Sequence, residues 1–167
     1  MRLNLRDILH RPGAARSFAF SLDLSQMDFG GSRPAVHPVQ VTGTVRNMAD
    51  ALVLEGEAVT TLELCCDRCL KPFSQVMRVP VEVLLAESLE NEDNDEIILL
   101  EDGEVDLEDV FTTAVVLAMD SKHLCSEDCK GLCPGCGVNL NEEPCRCSKE
   151  VDPRLAALAQ LLDKDQP

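Results

Sequence analysis

The chain has 167 residues, 45% of them apolar, with five Phe and neither Tyr nor Trp. That suffices for one aliphatic domain, or one domain with a small appendage. Thirty acidic against fifteen basic residues give a formal charge of −15, which excludes a simple, tight phosphate-backbone binder built on clustered Lys and Arg.

In chain order, Leu3 to Leu9 opens as a strand or a short helix. Phe18, Phe20, Leu22 and Leu24 alternate with small and polar residues, the pattern of a half-buried strand. Gly30-Gly31-Ser32-Arg33-Pro34 reads as a turn. Val39 to Arg46 alternates again, and Asn47 to Asp50 is a hairpin connection. Ala51 to Leu64 is one long strand or two joined by a bulge at Gly56. Gln75 to Leu85 is a further strand, with Pro80 placing it at an edge or bulge. Ile97 to Leu100 is a short apolar strand. The period then changes: Leu107, Val110, Phe111, Ala114, Leu117 and Ala118 recur at helical spacing. Asp106 suits the N-cap of that helix, and Glu108 and Asp109 its first turn. A second helix follows Asp152-Pro153, with Leu155, Leu158, Leu161 and Leu162 as its stripe.

The fold class expected is therefore α+β. It comprises an antiparallel β-rich N-terminal part, one central helix, a cysteine-rich zinc-binding loop and a short C-terminal helix. The organisation is a β-rich domain over 1–121, holding an acidic segment at 82–109 and a helix at 106–119. A cysteine-rich segment with its terminal helix fills 122–167. No apolar run approaches the roughly 20 residues needed to span a bilayer, and Met1 to Asp7 lacks a signal-peptide core. The expectation is a cytoplasmic chain without membrane contact, whose thiols are reduced or metal-bound.

Nine cysteines fall in two regions. Cys66-Asp67-Arg68-Cys69 is a C-x2-C pair between two strands, with Cys65 before it. Cys125, Cys129, Cys133, Cys136, Cys145 and Cys147 crowd the later loop, where Gly135 and Gly137 permit the tight backbone of a zinc knuckle. The first assignment puts Cys133, Cys136, Cys145 and Cys147 around one structural zinc. Cys66, Cys69, Cys125 and Cys129 form a second site that pins the sheet to the loop, and Cys65 is spare. Two alternatives stay open: Cys66 and Cys69 joining Cys133 and Cys136, or His123 replacing a thiolate. Spacing alone also admits an iron–sulfur cluster. A redox pair would need a C-x2-C at a helix start, and here strands flank it.

The charge is concentrated. Residues 79–121 carry fourteen carboxylates and neither Lys nor Arg, so nearly all the imbalance lies there. The partner-binding residues expected are Glu90, Glu92, Asp93, Asp95, Glu96, Glu101, Asp102 and Glu104. They read either as a solvated loop or as a docking surface for a basic protein.

Two stretches together resemble a family. Cys66-Asp67-Arg68-Cys69-Leu70 is similar to the C-x-R-C-L signature of the YceD family, the proteins required for accumulation of large-subunit ribosomal RNA. Cys125 to Asn141, Cys145-Arg146-Cys147 and Asp152 to Leu158 resemble the C-terminal half of that family. The resemblance covers the chain from about Val39 onward. It implies a ribosome-biogenesis factor needed for large-subunit (23S) rRNA accumulation. Its implied partner is a small basic ribosomal protein of the large subunit, pre-rRNA, or both, and no small-molecule substrate is expected.

Direct rRNA binding could use Arg146, Lys149, Arg154, Lys122 and Lys130, with Arg68 and Lys71 nearby. However, the chain lacks the Tyr and Trp side chains that usually stack on single strands. Arg68 is as readily a cap on a loop carbonyl, and Asn139 and Asn141 read as turn-stabilising. An enzyme is not expected. Carboxylates at 90–109 could hold Mg²⁺, but His10, His37 and His123 are scattered and form no pair with a nucleophile.

Overall fold

The computed structural model describes residues 1–48, 51–87 and 97–147. In order come β1 (Arg2–Asn4), α1 (Arg6–Leu9), β2 (Ala15–Leu22), β3 (Val39–Met48), β4 (Ala51–Cys65), β5 (Pro72–Ala86), β6 (Ile97–Leu99), β7 (Glu104–Asp106) and α2 (Leu107–Leu117). A five-stranded sheet runs β2-β3-β4-β5-β6, and β1 pairs with β7 in a two-stranded ribbon. The α+β class read from the pattern is the class observed.

Alternation builds the core. Phe18 and Leu22 of β2, Val41 and Val45 of β3, Leu54 and Leu62 of β4, and Val79 and Val81 of β5 are buried. Helix α2 supplies Leu107, Val110, Phe111 and Val115 to the same cluster. The Phe111 ring meets Phe18 and Phe20 edge-on at 5.9 and 6.2 Å, a favourable aromatic geometry. Asp106 caps the helix, its side chain accepting the Glu108 N–H at 3.0 Å.

β4 is one strand, in continuous register with β5 from Leu52↔Leu85 to Cys65↔Pro72. Gly56 is there for clearance and makes no bulge. A Cβ at that position would lie 2.8 Å from the end of the Phe111 ring and 2.9 Å from the Thr42 carbonyl. Its cross-strand partner is Gly43, against which Phe18 lies. Among the described residues, Pro80 sits on an open edge, which suits its missing N–H, because β6 pairs with β5 only at Leu84 to Ala86.

Four expectations are corrected. Asn47 is no turn residue: it is buried within β3, and its amide donates to the Ile8 and Leu9 carbonyls at 2.9 and 2.8 Å, closing the end of α1. β6 joins β5 in parallel, so the sheet is not wholly antiparallel. Leu117 is 80% exposed and Ala118 is also exposed, while Val115 is buried, because the inward stripe runs 107, 111, 115 and the helix ends at Leu117. The region before the first long strand holds both a strand and a helix, and the strand β1 pairs with β7 a hundred residues later. The helix expected after Pro153 lies outside the described residues. Among the described residues, no helix is long and apolar enough to cross a membrane.

Candidate metal centre

The β4–β5 hairpin ends in the loop Cys66–Lys71. It closes with the Cys66 N–H donating to Lys71 O at 3.0 Å and the Leu70 N–H to Cys66 O at 2.9 Å. Leu70 takes φ 58° to complete the turn, a strained left-handed value for a branched residue. The segment after α2 folds back onto this tip. The Asp67 N–H donates to His123 O at 2.9 Å, and the His123 N–H donates to the Asp67 carboxylate at 2.6 Å. The Leu132 N–H donates to Arg68 O at 2.9 Å. Gly131 stands where a Cβ would come within 3.0 Å of that carbonyl.

This apposition brings Cys66, Cys69, Cys125 and Cys129 together. The ligand atoms of the group lie within 4.8 Å of one another, with Sγ···Sγ distances of 3.7 Å for Cys66–Cys129 and 3.6 Å for Cys69–Cys125. Four thiolates at about 2.3 Å from one tetrahedral ion stand about 3.8 Å apart, so the spacing fits a metal. Three of the four are buried.

Cys133, Cys136, Cys145 and Cys147 form a second group of the same compactness. Cys133 lies 3.1 Å from Cys145 and 4.0 Å from Cys147, and Cys136 lies 3.9 Å from Cys145. The knuckle is closed by Cys133 N–H to Val138 O and Gly137 N–H to Cys133 O, both 2.8 Å. Gly137 has φ +73°, and a Cβ on Gly135 would sit 3.1 Å from the Cys147 sulfur. Only Cys133 of this group is buried. The pairing of Cys66 and Cys69 with Cys133 and Cys136 is not the arrangement seen, and His123 meets the tip through its backbone. Cys65 stands outside both groups, its thiol directed at Leu70 O.

Electrostatics splits each group. The Cys125 backbone N–H holds Cys66 down to about 6, and the Cys145 thiol does the same for Cys133, also about 6. Contact with Cys69 and burial push Cys125 up to about 12. Cys136 and Cys145 beside it raise Cys147 to about 12. Against its burial, Asn141 and the Gly131 N–H draw Cys129 down as well. Each cluster thus sets a lowered thiol, Cys66 or Cys133, beside two raised ones, Cys69 and Cys125 or Cys145 and Cys147, a mutual disfavouring of charge that a bound cation relieves.

Further polar groups complete the first cluster. Arg68 Nη1 donates to Cys129 O at 2.8 Å, so its side chain caps a loop carbonyl. Asn141 Nδ2 reaches the Cys129 sulfur at 3.4 Å, while its Oδ1 accepts the Lys130 N–H at 2.8 Å. Asn139 Oδ1 accepts the Asn141 N–H at 3.1 Å, a turn bond of the kind expected. The Asp67–His123 clasp had no sequence signal, since it depends on two loops 56 residues apart meeting. The Asn141 contact with sulfur had none because it depends on how the segment from Cys129 to Asn141 folds back on itself.

A family model, the large ribosomal RNA subunit accumulation protein YceD, matches residues 54–162. The chain belongs to the YceD family. The YceD match begins within β4 and takes in all eight clustered cysteines. Relatives include an uncharacterized protein of Mycobacterium tuberculosis, 29% identical over 95% of this chain and 73% of its own. Another is a chloroplastic large ribosomal RNA subunit accumulation protein of Zea mays, a YCED homolog. It is 27% identical over 87% of this chain, which spans 60% of it. The corresponding Arabidopsis thaliana homolog is 29% identical over 68% of this chain and 44% of its own. No solved structure matches.

Of the acidic residues, Glu101, Asp102 and Glu104 are described. Asp102 (φ 54°) and Gly103 (φ 73°) make a tight turn closed by reciprocal Glu101–Glu104 backbone bonds of 3.0 Å. The turn belongs to the β6–β7 end of the fold. β6 pairs with the last residues of β5, roughly 40 Å along the strand from the cysteine tip at about 3.3 Å per residue. Glu90, Glu92, Asp93, Asp95 and Glu96 lie outside the described residues.

Proposed function

We propose that the chain serves large-subunit rRNA accumulation as a non-enzymatic cytoplasmic factor. One structural zinc sits in each cysteine group. Glu90, Glu92, Asp93, Asp95, Glu96, Glu101, Asp102 and Glu104 form the surface for a basic ribosomal protein of the large subunit. The observation that carries this reading is the pair of complete four-thiol groups. A metal held by four thiolates has no open position for a substrate, so it orders the chain and does no Lewis-acid chemistry. The first metal joins the hairpin tip to the cysteine-rich segment, and the second orders the knuckle. The acidic surface offers a Lys/Arg-rich chain an electrostatic stand-in for phosphate before it meets rRNA.

Direct RNA binding is the weaker reading, because Arg68 is engaged with the Cys129 carbonyl. The deciding experiment replaces Glu90, Glu92, Asp93, Asp95 and Glu96 by their amides and presents purified large-subunit proteins. Retention of a basic ribosomal protein drops at least tenfold while zinc content stays at two per chain. Unchanged retention overturns the partner assignment, and zinc-free protein overturns the structural role.

A further inference from the structure

We propose that a groove between α2 and the β5–β6 end of the sheet docks a cationic amphipathic segment of a protein partner, apolar face inward. The inference rests on the basic-partner reading and supplies its site. The groove holds about 750 Å³, and its floor is formed by Val81, Val83, Ile98, Val110 and Ala114. Val83 shares a face with the buried Val79, Val81 and Leu85 yet is only half-buried. At the lip, Leu117 is 80% exposed and Leu99 49%. Among the described residues, two large aliphatic side chains so placed beside an apolar floor form one uncovered patch, the usual mark of a protein contact.

The rim selects the occupant. Glu101, Glu104, Asp106 and Asp109 line it against Arg2 alone. Arg2 lies 3.8 Å from Asp106 and 4.0 Å from Glu101. The terminal ammonium takes Asp106 and Glu108. Among the described residues, Glu104 and Asp109 have no cationic partner. An apolar floor inside a carboxylate rim fits a helix with Leu-type anchors on one face and Lys or Arg along its flanks. A nucleic acid would offer the wrong charge and no apolar face. A second copy would bring a chain of charge −15 and the same rim. The chain's own leucine-rich residues 153–162 carry a single Arg and no Lys.

The test uses the full chain with zinc and a labelled 14-residue Leu/Lys peptide patterned as an amphipathic helix. A shuffled peptide of the same composition is the control, and anisotropy is the readout. Leu117→Asp and Thr113→Arg change exposed positions on α2, and thermal melts confirm that the variants fold. The patterned peptide binds, each variant weakens it at least tenfold, and the shuffled peptide is weak and indifferent to both. Equal binding of the two peptides, or indifference to both variants, overturns the groove and leaves only a charged surface. So does a peptide that binds only after residues 153–162 are removed, or a dimer that Leu117→Asp dissociates in sedimentation. If purified ribosomal protein is lost from the acidic-run variant but kept by Leu117→Asp, the groove falls and the partner reading stands. If the patterned peptide behaves as stated while no ribosomal protein is retained by the native chain, the groove stands and that partner falls.

Discussion

Arg68 spends its guanidinium on the protein's own backbone. Nη1 donates to Cys129 O at 2.8 Å and reaches Glu127 O at 3.5 Å, holding the loop that presents Cys125 and Cys129 against the hairpin tip. A charge-assisted bond of this kind contributes about 1.5–3 kcal/mol when buried, and less in this part-buried place. Arg68→Ala therefore speeds loss of one zinc to a chromogenic chelator by about tenfold, leaving the other zinc's release unchanged. Equal acceleration of both, or of neither, contradicts the local role. The cysteines, the turn glycines and the Asn139–Asn141 turn were readable as sequence, because spacing and residue type dictate what such short loops do. Asn47 was misread. Asn usually serves turns, and the α1 carbonyls that its amide satisfies lie some forty residues back in the chain.

At the scale of elements, strand alternation and the Asp106 cap located β2 to β5 and α2 within a few residues. Three features lay beyond local pattern. β1 and β7 are three residues each and exist only because Leu3 and Val105 meet. The parallel sense of β6 comes from where the chain returns, which periodicity does not encode. The Asp102-Gly103 turn carries the residues of a tight hairpin, but its strands are too short to show a period. Gly56 shows how helix and sheet are matched. The Gly43–Gly56 pair opens the space that the Phe18 and Phe111 rings occupy. Gly56→Ala destabilises the fold by about 1–3 kcal/mol through overpacking, read as a lower urea midpoint at unchanged slope. Combining it with Phe111→Leu costs less than the sum of the single changes, because the shorter side chain gives back part of the clash. Strict additivity would assign the cost to the Thr42 carbonyl contact instead.

For the molecule as a whole, metal and pH act together. In the metal-free first cluster, Cys66 is held at about 6 and is mostly thiolate at pH 7. Cys125 is raised to about 12 by Cys69 and burial. Cys69 is raised too: the Lys71 amide draws it down, but burial and the Cys66 sulfur outweigh that. The second cluster repeats the pattern, with Cys133 at about 6, Cys147 at about 12, and Cys145 raised by Cys133. Zinc binds thiolates, so loading at pH 7 displaces at least two protons per site. The sign follows: more acid means more protons to displace, so affinity falls as pH falls. Below about pH 6 Cys66 and Cys133 are protonated as well, and each site then releases at least one further proton. Log affinity therefore rises with pH at a slope of at least about 2 per site near neutrality, and at least about one unit more steeply below pH 6. Metal-derived stability follows the same course, since a ligand stabilises only in proportion to its occupancy of the folded state. Competition titrations with a chelator of known protonation, from pH 5.5 to 8, measure the slope. A slope below 1 would mean that the thiols are not the ligands.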